Sequence, residues 1–420
     1  MFSRILTTTA SRLIIALTNL GIVTVAARAL GAEGMGTISL FILGISIIQI
    51  FSALVGGSVL VYMASRFPVV QLIAPAWAWT LIISVSGSFL LTWFQLAPPE
   101  YAFDLFAISM LQSLFAINQN IQIGKEKILQ YNLAALAQSI ILLISLIFLI
   151  HIAGNVHIRS YITAMYISFS LAFLISFSGI IRYFTMARLF NPEVIRETFR
   201  FGSYVQVAGI LQLFNYRLSY YIIEKFFDRA TLGVFSIGIQ ISESVWIISK
   251  SIALVQYSKV SNSGDNDYNV RITLEFIRFT FILTMMMLCV LLLLPDDLFV
   301  MIFRNDFRNV GEVILSISFG ILAVSISLMF SHYFSGSGKP WHNTISSGIG
   351  LAFTVILGFI LIPSMGIIGA GITSSASYMA GMLYQFFVFR KMTSSPITAF
   401  VPGVRDVRKF LELLKDLKNR

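Results

Sequence analysis

A stripe of polar and ionisable side chains runs along an otherwise apolar stretch near the middle of this 420-residue chain. At about 100° per residue, Gln206, Arg217 and Glu224 fall on one side of a helix, and Tyr220 flanks them. An Arg or Lys near the centre of a bilayer costs roughly 2.5–3.5 kcal/mol on insertion scales, so such a residue normally faces a wet cavity. The spacing therefore predicts a polar cavity beside this stripe.

Two further stretches repeat the pattern. Glu243 and Lys250 are seven residues apart with Gln240 on the same side, and Arg12 and Asn19 have the same separation. Uncharged polar residues extend the predicted lining, namely Ser46, Gln49, Ser52, Gln112 and Gln119. The guanidinium fork of Arg suits phosphate oxygens, and aromatic faces suit sugar rings. We therefore expect an amphiphilic substrate with an anionic phosphate head, attached sugars and a lipid tail.

Several of these charges also have a structural interpretation. Arg12 would extend to the membrane surface if it lies one turn from the end of its helix. Glu243 and Lys250 are about two helical turns apart, so a pair between them within one helix is disfavoured, whereas pairs across helices would be structural. Arg217 lies deepest in its predicted helix and is the strongest candidate for a cavity.

No pattern in the sequence is typical of catalysis, of a cofactor site or of a metal centre. The four histidines are scattered without ligand spacing, and Gly338-Lys339 lacks the other residues of a phosphate loop. Asp265-Asn266-Asp267 is the pattern that many glycosyltransferases use, but it lies in a predicted solvated turn. We expect no enzyme activity, no catalytic residue, no cofactor and no metal.

The composition places the chain in a membrane. Apolar types make up 57% of the residues and charged types 11%, with a mean hydropathy of +0.85. A soluble globular protein carries about 25% charged residues, so an ordinary soluble enzyme and a disordered chain are both excluded. The apolar runs are about twice as long as the strands of a membrane barrel, and they favour an all-α integral membrane protein.

Hydropathy and turn residues divide the chain into about twelve segments that are long enough to span a bilayer. Their predicted limits are 8–29, 36–62, 72–96, 101–123, 129–151, 158–182, 202–224, 230–255, 273–295, 311–334, 343–363 and 369–390. The single cysteine, Cys289, lies in one of these runs, so it has no partner for an intramolecular disulfide, and we expect it to be buried.

The charge of the loops predicts the orientation. With the N-terminus in the cytoplasm, nineteen of the 29 Lys and Arg residues fall on the cytoplasmic side, six on the outer side and four inside spans. An excess of this size on one side favours cytoplasmic N- and C-termini. The net charge of +10 then belongs to cytoplasmic loops and does not indicate nucleic acid as a partner.

The spans fall into two sets of six. The predicted organisation is an N-terminal six-helix bundle at 1–182, a cytoplasmic interfacial linker at 183–201, a C-terminal six-helix bundle at 202–390 and a basic amphipathic tail at 391–420. Asn191-Pro192-Glu193 starts a short predicted helix in the linker, and an apolar face over 404–417 predicts another helix in the tail.

The two halves have traces of an internal repeat. Met35–Leu40 aligns with Leu232–Ile237 at an offset of 197 residues, and the same offset pairs Arg28 with Lys225. Both matches lie in or near the loop between the first and second spans of a half. A parallel repeat would relate the halves by an axis along the membrane normal and place a substrate path between them.

Four stretches in this order resemble a known family. They are Ala27–Gly36, Phe199–Gly202, Leu232–Ser236 and Ile362–Gly371. With them the chain resembles the bacterial polysaccharide biosynthesis flippases of the O-antigen transporter type, within the multidrug/oligosaccharidyl-lipid/polysaccharide (MOP) exporter superfamily. The resemblance covers about residues 5–390, although the proline usual at the entry to the seventh helix is replaced around Tyr204.

The resemblance implies a MATE-like fold of two six-helix bundles that work by alternating access. The implied substrate is an undecaprenyl-diphosphate-linked oligosaccharide, either O-antigen or a related unit for lipopolysaccharide or another surface polysaccharide. Translocation would cross the bacterial cytoplasmic (inner) membrane, with a polysaccharide polymerase and a chain-length regulator as possible partners. A multidrug/cation antiporter of the same superfamily is the second hypothesis, and a membrane-embedded polymerase or glycosyltransferase is the third.

Overall fold

The computed structural model of the chain describes residues 2–185, 189–263 and 265–403, and all regular elements within these ranges are helical. The first half contains α1 (Phe2–Gly56), α2 (Val59–Met63), α3 (Val69–Trp93), α4 (Ala102–Gly124), α5 (Ile128–Ile147) and α6 (Ile158–Ile180). The second half contains α7 (Pro192–Phe226), α8 (Arg229–Ser244), α9 (Trp246–Ser261), α10 (Asn266–Leu292), α11 (Asp296–Ile302), α12 (Val310–Gly336) and α13 (Trp341–Thr393).

The first and last long helices are each interrupted by one glycine. Gly31 in α1 has φ 67° and ψ −173°, and Gly366 in α13 has φ 58° and ψ −133°. A side chain would strain the backbone at these angles, so glycine permits the chain to turn there. Each long helix is therefore two spans joined at a break, in agreement with the predicted boundaries near 30 and 366.

The span count agrees with the hydropathy of the sequence. Within the described ranges, eight helices are long and apolar enough to cross a membrane, and α8 with α9 forms a further broken span bent by 40°. Counting the two parts of α1 and of α13 separately gives eleven apolar spans. The long helix α7 (Pro192–Phe226) corresponds to the remaining predicted span, 202–224, but it is less apolar than the others. The predicted all-α membrane fold is confirmed.

Contacts between residues divide the chain into two compact units. The first unit consists of Met1–Ile210, Arg229–Gly233 and Met301–Asp306. The second unit consists of Leu211–Asp228, Val234–Val300 and Phe307–Arg420. The helix α7 thus contributes its first part to one unit and its second part to the other. The predicted domain limits at 182, 201 and 390 stay a prediction.

Buried amide side chains join helices inside each unit. In the first unit the Gln122 amide donates to the Ser176 carbonyl at 2.9 Å, which ties α4 to α6. In the second unit Gln256 donates to the Met329 carbonyl at 2.9 Å and to the Thr273 hydroxyl at 3.0 Å. Because lipid offers no hydrogen bonds, such pairs satisfy polar groups that the bilayer would leave unsatisfied.

The structure differs from two predictions made from the sequence, and a third prediction falls on residues that it does not describe. The short linker helix is not separate, because its residues form the first turns of the continuous helix α7 (Pro192–Phe226). The thiol of Cys289 is exposed, whereas we expected it to be buried. The tail helix predicted over 404–417 lies outside the described residues.

Candidate functional site

The most prominent charged feature of the second unit is an ion pair between α7 and α8. The guanidinium of Arg217 donates two hydrogen bonds to the carboxylate of Glu243, with N–O distances of 2.7 and 2.8 Å. The Arg217 side chain is 25% exposed and the Glu243 side chain 17% exposed. A bidentate pair of this kind is strong and directional, and it neutralises the charge of Arg217.

Aromatic rings surround this ion pair. The Arg217 guanidinium carbon lies 5.4 Å from the centre of the Tyr220 ring, within the range of a cation–π contact. Tyr216 packs against Trp246 and Tyr378, with ring centres 5.5 and 5.0 Å apart. The pair and its rings therefore form one cluster, which we call the ion-pair cluster and define as Arg217, Glu243, Tyr216, Tyr220, Trp246 and Tyr378.

A second polar cluster of the same unit contains no charge. The Thr354 hydroxyl donates to Asn215 Oδ1 at 2.8 Å, and the Ser377 hydroxyl lies within hydrogen-bonding distance of the same oxygen. Ser377 Oγ is also 2.9 Å from the Gly350 carbonyl oxygen, and a Cβ at Gly350 would overlap the Asn215 amide. These contacts, which we call the Asn215 cluster, fix α7 against α13. Sequence reasoning missed them, although Asn215 is an amide deep in a predicted span.

The structure brings only part of the predicted lining together. Arg217, Glu243 and Tyr220 meet in the ion-pair cluster, and the Lys250 ammonium lies 5.7 Å from the Trp246 ring at its edge. Lys250 is otherwise exposed, as is Gln240. Glu243 pairs with Arg217, which the spacing of the sequence did not predict.

The other predicted residues lie apart from this cluster. The Gln206 amide donates to the Ile50 carbonyl within the first unit, and Glu224 is half-buried near the end of α7. In α1, Arg12 and Asn19 are exposed, and the Ser139 hydroxyl donates to Asn19 Oδ1 at 3.3 Å. Their assignment to a substrate cavity stays a prediction.

The first unit contains a cavity of its own, of about 340 Å³, between α1, α3 and α4. It extends from the middle of α3 and α4, at Thr80 and Ser113, to the end of α1 at Gly56. None of its described lining residues is charged; they are Ser46, Gln49, Ile50, Ser52, Ala53, Gly56, Gly57, Thr80, Ser113, Ala116, Ile117 and Asn120. We call it the hydroxyl cavity, because serine and threonine supply most of its polar groups. The sequence had identified Ser46, Gln49 and Ser52 but neither Thr80 nor Ser113.

Three of its hydroxyl groups are buried without a partner. The side-chain oxygens of Ser52, Thr80 and Ser113 have no hydrogen-bond partner among the described residues, and the three residues are at most 3% exposed. Two amides of the lining are held in place: Gln112 donates to Gln49 Oε1 at 2.9 Å, and Asn120 donates to the Gly56 carbonyl at 3.0 Å.

Two further acidic residues have structural contacts. Asp104 in α4 accepts a hydrogen bond from the Tyr166 hydroxyl at 3.0 Å. The Asp265 carboxylate caps α10 by accepting from the backbone amides of Asp267 and Tyr268, so the Asp265–Asp267 motif is a helix cap. Among the described residues, no group of three or more His, Cys, Asp or Glu could hold a metal ion.

A symmetric crossing in the first unit supports the internal repeat. A Cβ at Gly36 would overlap the carbonyl oxygen of Arg229, and a Cβ at Gly233 would overlap that of Ala32. The 197-residue offset converts each of these contacts into the other. Nearby, Arg28 Nε donates to the Ile302 carbonyl at 2.9 Å. The loop motifs of the two halves are therefore packed together backbone to backbone.

Part of the sequence matches a family model. The model for the lipid II flippase MurJ matches residues 240–412. The capsular polysaccharide biosynthesis protein CapF of Staphylococcus aureus is 20% identical over 216 residues, which cover 50% of this chain and 54% of that protein. The chain spans about half the length of the curated relatives it matches.

Solved structures share the fold over nearly the whole chain. The lipid II flippase MurJ in an inward closed conformation has a TM-score of 0.73 at 16% identity, covering 94% of this chain and 88% of that one. An inward-facing multidrug resistance MATE family transporter of the MOP superfamily has a TM-score of 0.73 at 16% identity, covering 92% and 100%. The chain has the fold of these two transport proteins.

Proposed function

We propose that this protein is a flippase that moves undecaprenyl-diphosphate-linked oligosaccharide units across the bacterial cytoplasmic membrane by alternating access. The observation that carries the proposal is the double likeness to the lipid II flippase MurJ, in fold over 94% of the chain and in sequence over residues 240–412. The substrate of that protein is a lipid-linked unit, and the similarity to a capsular polysaccharide biosynthesis protein favours a surface glycan as the unit moved here.

The polar interior of the chain fits such a substrate. The hydroxyl cavity offers uncharged hydrogen-bond donors and acceptors within the membrane-spanning helices. Sugars would need such groups to pass the hydrocarbon core of the membrane. In the second unit, we propose that the cations Arg217 and Lys250 attract the diphosphate. Arg217 contacts phosphate oxygens only if its bond to Glu243 opens, since that carboxylate now occupies both arms of the guanidinium fork.

A multidrug/cation antiporter is the second candidate, because the MATE transporter has the same TM-score as MurJ. A cationic drug or a coupling ion calls for an available carboxylate. In the first six predicted spans, Asp104 is the one acidic residue, and it accepts a hydrogen bond from Tyr166. The hydroxyl cavity is uncharged. These observations favour the glycan substrate over a cation.

A polymerase or glycosyltransferase is the third candidate. Asp265-Asn266-Asp267, the pattern that many glycosyltransferases use, caps α10 here. A capping carboxylate is occupied by backbone amides and is poorly placed to hold a metal and a sugar nucleotide. We therefore propose a transporter that hands its glycan to a separate polymerase with its chain-length regulator.

Deletion of the gene in the host bacterium tests this proposal. We expect surface polysaccharide to disappear and lipid-linked units to accumulate in the cytoplasmic leaflet, where an added membrane-impermeant lectin cannot reach them in intact cells. Expression of the chain from a plasmid should restore both. Hypersensitivity to cationic drugs with normal surface glycan would contradict the proposal and favour the antiporter.

A further inference from the structure

The hydroxyl cavity of the first unit has the chemistry of a binding site that the proposed function does not yet use. Its lining combines hydroxyl and amide groups with small residues such as Ala53, Gly56 and Ala116, and all of them belong to one compact unit. We propose that this cavity binds a neutral sugar ring, the head of the glycan that the protein carries. This inference rests on the proposed function and names the place where that substrate is recognised.

The unpartnered hydroxyl groups are the first argument. A serine or threonine in an apolar helix normally bonds to a carbonyl one turn earlier, as Thr18 and Ser46 do here. Ser52, Thr80 and Ser113 come from three different helices, and their hydroxyls have no partner among the described residues. Among the described residues, nine buried hydroxyl groups have no partner, and three of the nine belong to this lining. Each such group calls for an explanation. Convergence of three on one cavity points to a ligand.

The charge of the lining is the second argument. A phosphate would call for Arg, Lys or several backbone amides, and a cation would call for a carboxylate. Among the residues that the structure describes, none of those lining the cavity is charged. Hydroxyls both donate and accept, and amides such as Gln49 and Asn120 offer one group of each kind. Sugar hydroxyls also donate and accept, so a neutral, hydroxyl-rich ring matches this lining and a charged ligand does not.

Size and depth are the third argument. The volume of about 340 Å³ falls at the lower end of the roughly 300–1,000 Å³ that small-molecule sites occupy. A single water needs about a tenth of it. Thr80 and Ser113 lie near the midpoints of α3 and α4. A polar ring bound there would rest halfway across the hydrocarbon, where the barrier to its passage is highest.

Two equivalent substitutions separate binding from structure. Thr80→Val replaces one buried unpartnered hydroxyl by a methyl group of the same shape. Thr280→Val does the same at a residue in α10 that is equally buried, equally without a partner among the described residues, and absent from the cavity lining. Both variants should raise the unfolding temperature, because each removes an unsatisfied polar group. Only Thr80→Val should impair sugar binding.

The probes are undecaprenyl diphosphate and the same lipid carrying the host oligosaccharide, with affinity measured by native mass spectrometry of the purified full chain. One hydrogen bond of about 0.5–1.5 kcal/mol corresponds to a roughly 2- to 12-fold change in affinity. We expect Thr80→Val and Ser113→Ala to weaken binding of the sugar-bearing lipid by this factor and to leave binding of the bare lipid unchanged. Thr280→Val should change neither.

The outcomes distinguish the cavity from the proposed function. Unchanged affinity of both cavity variants for the sugar-bearing lipid would overturn the sugar site and leave the flippase intact. An equal loss for both lipids would also overturn it. If the wild type binds the sugar-bearing lipid no more tightly than the bare lipid, the proposed function fails. In that case, neutral methyl glycosides test whether the cavity binds sugar. The sugar site is supported if a glycoside raises the unfolding temperature of the wild type and of Thr280→Val but not that of Thr80→Val. It is overturned if no glycoside raises the unfolding temperature of the wild type.

Discussion

The ion-pair cluster and the hydroxyl cavity satisfy their polar groups in opposite ways. In the ion-pair cluster of the second unit, Arg217 and Glu243 satisfy each other with two short hydrogen bonds. In the hydroxyl cavity of the first unit, Ser52, Thr80 and Ser113 carry no charge and have no partner among the residues described. The charge of Arg217 is thus neutralised by Glu243, whereas the three hydroxyl groups of the cavity keep their capacity to form hydrogen bonds. In this comparison, a polar group that lacks a hydrogen-bond partner is a better candidate for binding a ligand than a charged group that is already paired.

Breaking the ion pair should have the largest effect on stability. Glu243→Ala leaves a largely buried guanidinium without its carboxylate, and such changes cost about 3–5 kcal/mol. We expect a large fall in the unfolding temperature of the detergent-solubilised protein. The double variant Arg217→Met/Glu243→Leu should recover most of it, since apolar pairs of similar volume are tolerated.

The same double variant reports on function. If Arg217 binds phosphate during transport, surface polysaccharide is lost even though the double variant folds. Full transport by a stable double variant would show that the ion pair is purely structural, and it would remove Arg217 from the substrate path.

Disturbing the close backbone contact between α7 and α1, beside the hydroxyl cavity, should have the second-largest effect on stability. A Cβ at Gly202 would overlap the Leu54 carbonyl oxygen, so Gly202→Ala has to separate α7 from α1, at a cost of about 1–3 kcal/mol. Gly348→Ala is the matched control, because its new methyl group meets only Leu211 Cδ1 at 3.9 Å. It should be neutral or stabilising, since alanine favours a helix. Equal unfolding temperatures for the two variants would contradict the close packing.

The uncharged Asn215 cluster should be sensitive to loss of one partner. Asn215→Ala leaves the hydroxyl of Thr354, which is buried, without its amide oxygen, at a cost of about 1–3 kcal/mol. The matched change in the hydroxyl cavity is Ser113→Ala, which removes a hydroxyl that bonds to nothing described. Unfolding of the purified proteins measures both changes. If Asn215→Ala and Ser113→Ala destabilise the protein equally, the hydrogen-bond partner of a buried polar group makes no difference to its contribution to stability, which contradicts the prediction.

Helix capping provides the smallest expected effect. Asp265→Ala removes two hydrogen bonds to the first turn of α10 and should destabilise the protein by about 1 kcal/mol. Asp265→Asn keeps a capping oxygen and should restore the stability. Both variants should produce normal surface polysaccharide. Complete loss of polymer in Asp265→Asn would favour a catalytic role for this carboxylate.

The sequence was sufficient to predict the helical fold, because apolar length and glycine-rich turns are local properties. It predicted span boundaries near residues 30 and 366, where the structure has Gly31 and Gly366, and it predicted the polar character of Gln49 and Ser52. Other contacts depend on tertiary packing. Arg217 and Glu243 lie on different helices, so spacing along the chain carries no information about their pairing.

The polar residues without charge show the same limit. Thr80 and Ser113 have sequence surroundings like those of Thr18, which bonds to its own helix. Only the packing of α3 and α4 against α1 shows that their hydroxyls meet at one cavity. Likewise, the continuous helix from Pro192 to Phe226 could not be distinguished from two helices, because the polar entry segment lowers its local hydropathy.

Reconstitution in liposomes measures flippase activity itself. The purified chain would be placed in liposomes containing fluorescent undecaprenyl-diphosphate-linked oligosaccharide from the host, and an impermeant quencher would report the fraction in the outer leaflet. If the chain is a flippase, label in the inner leaflet becomes accessible far faster with the wild type than in protein-free liposomes. Equal rates with and without the protein, while the same vesicles exchange a cationic drug for protons, would contradict it.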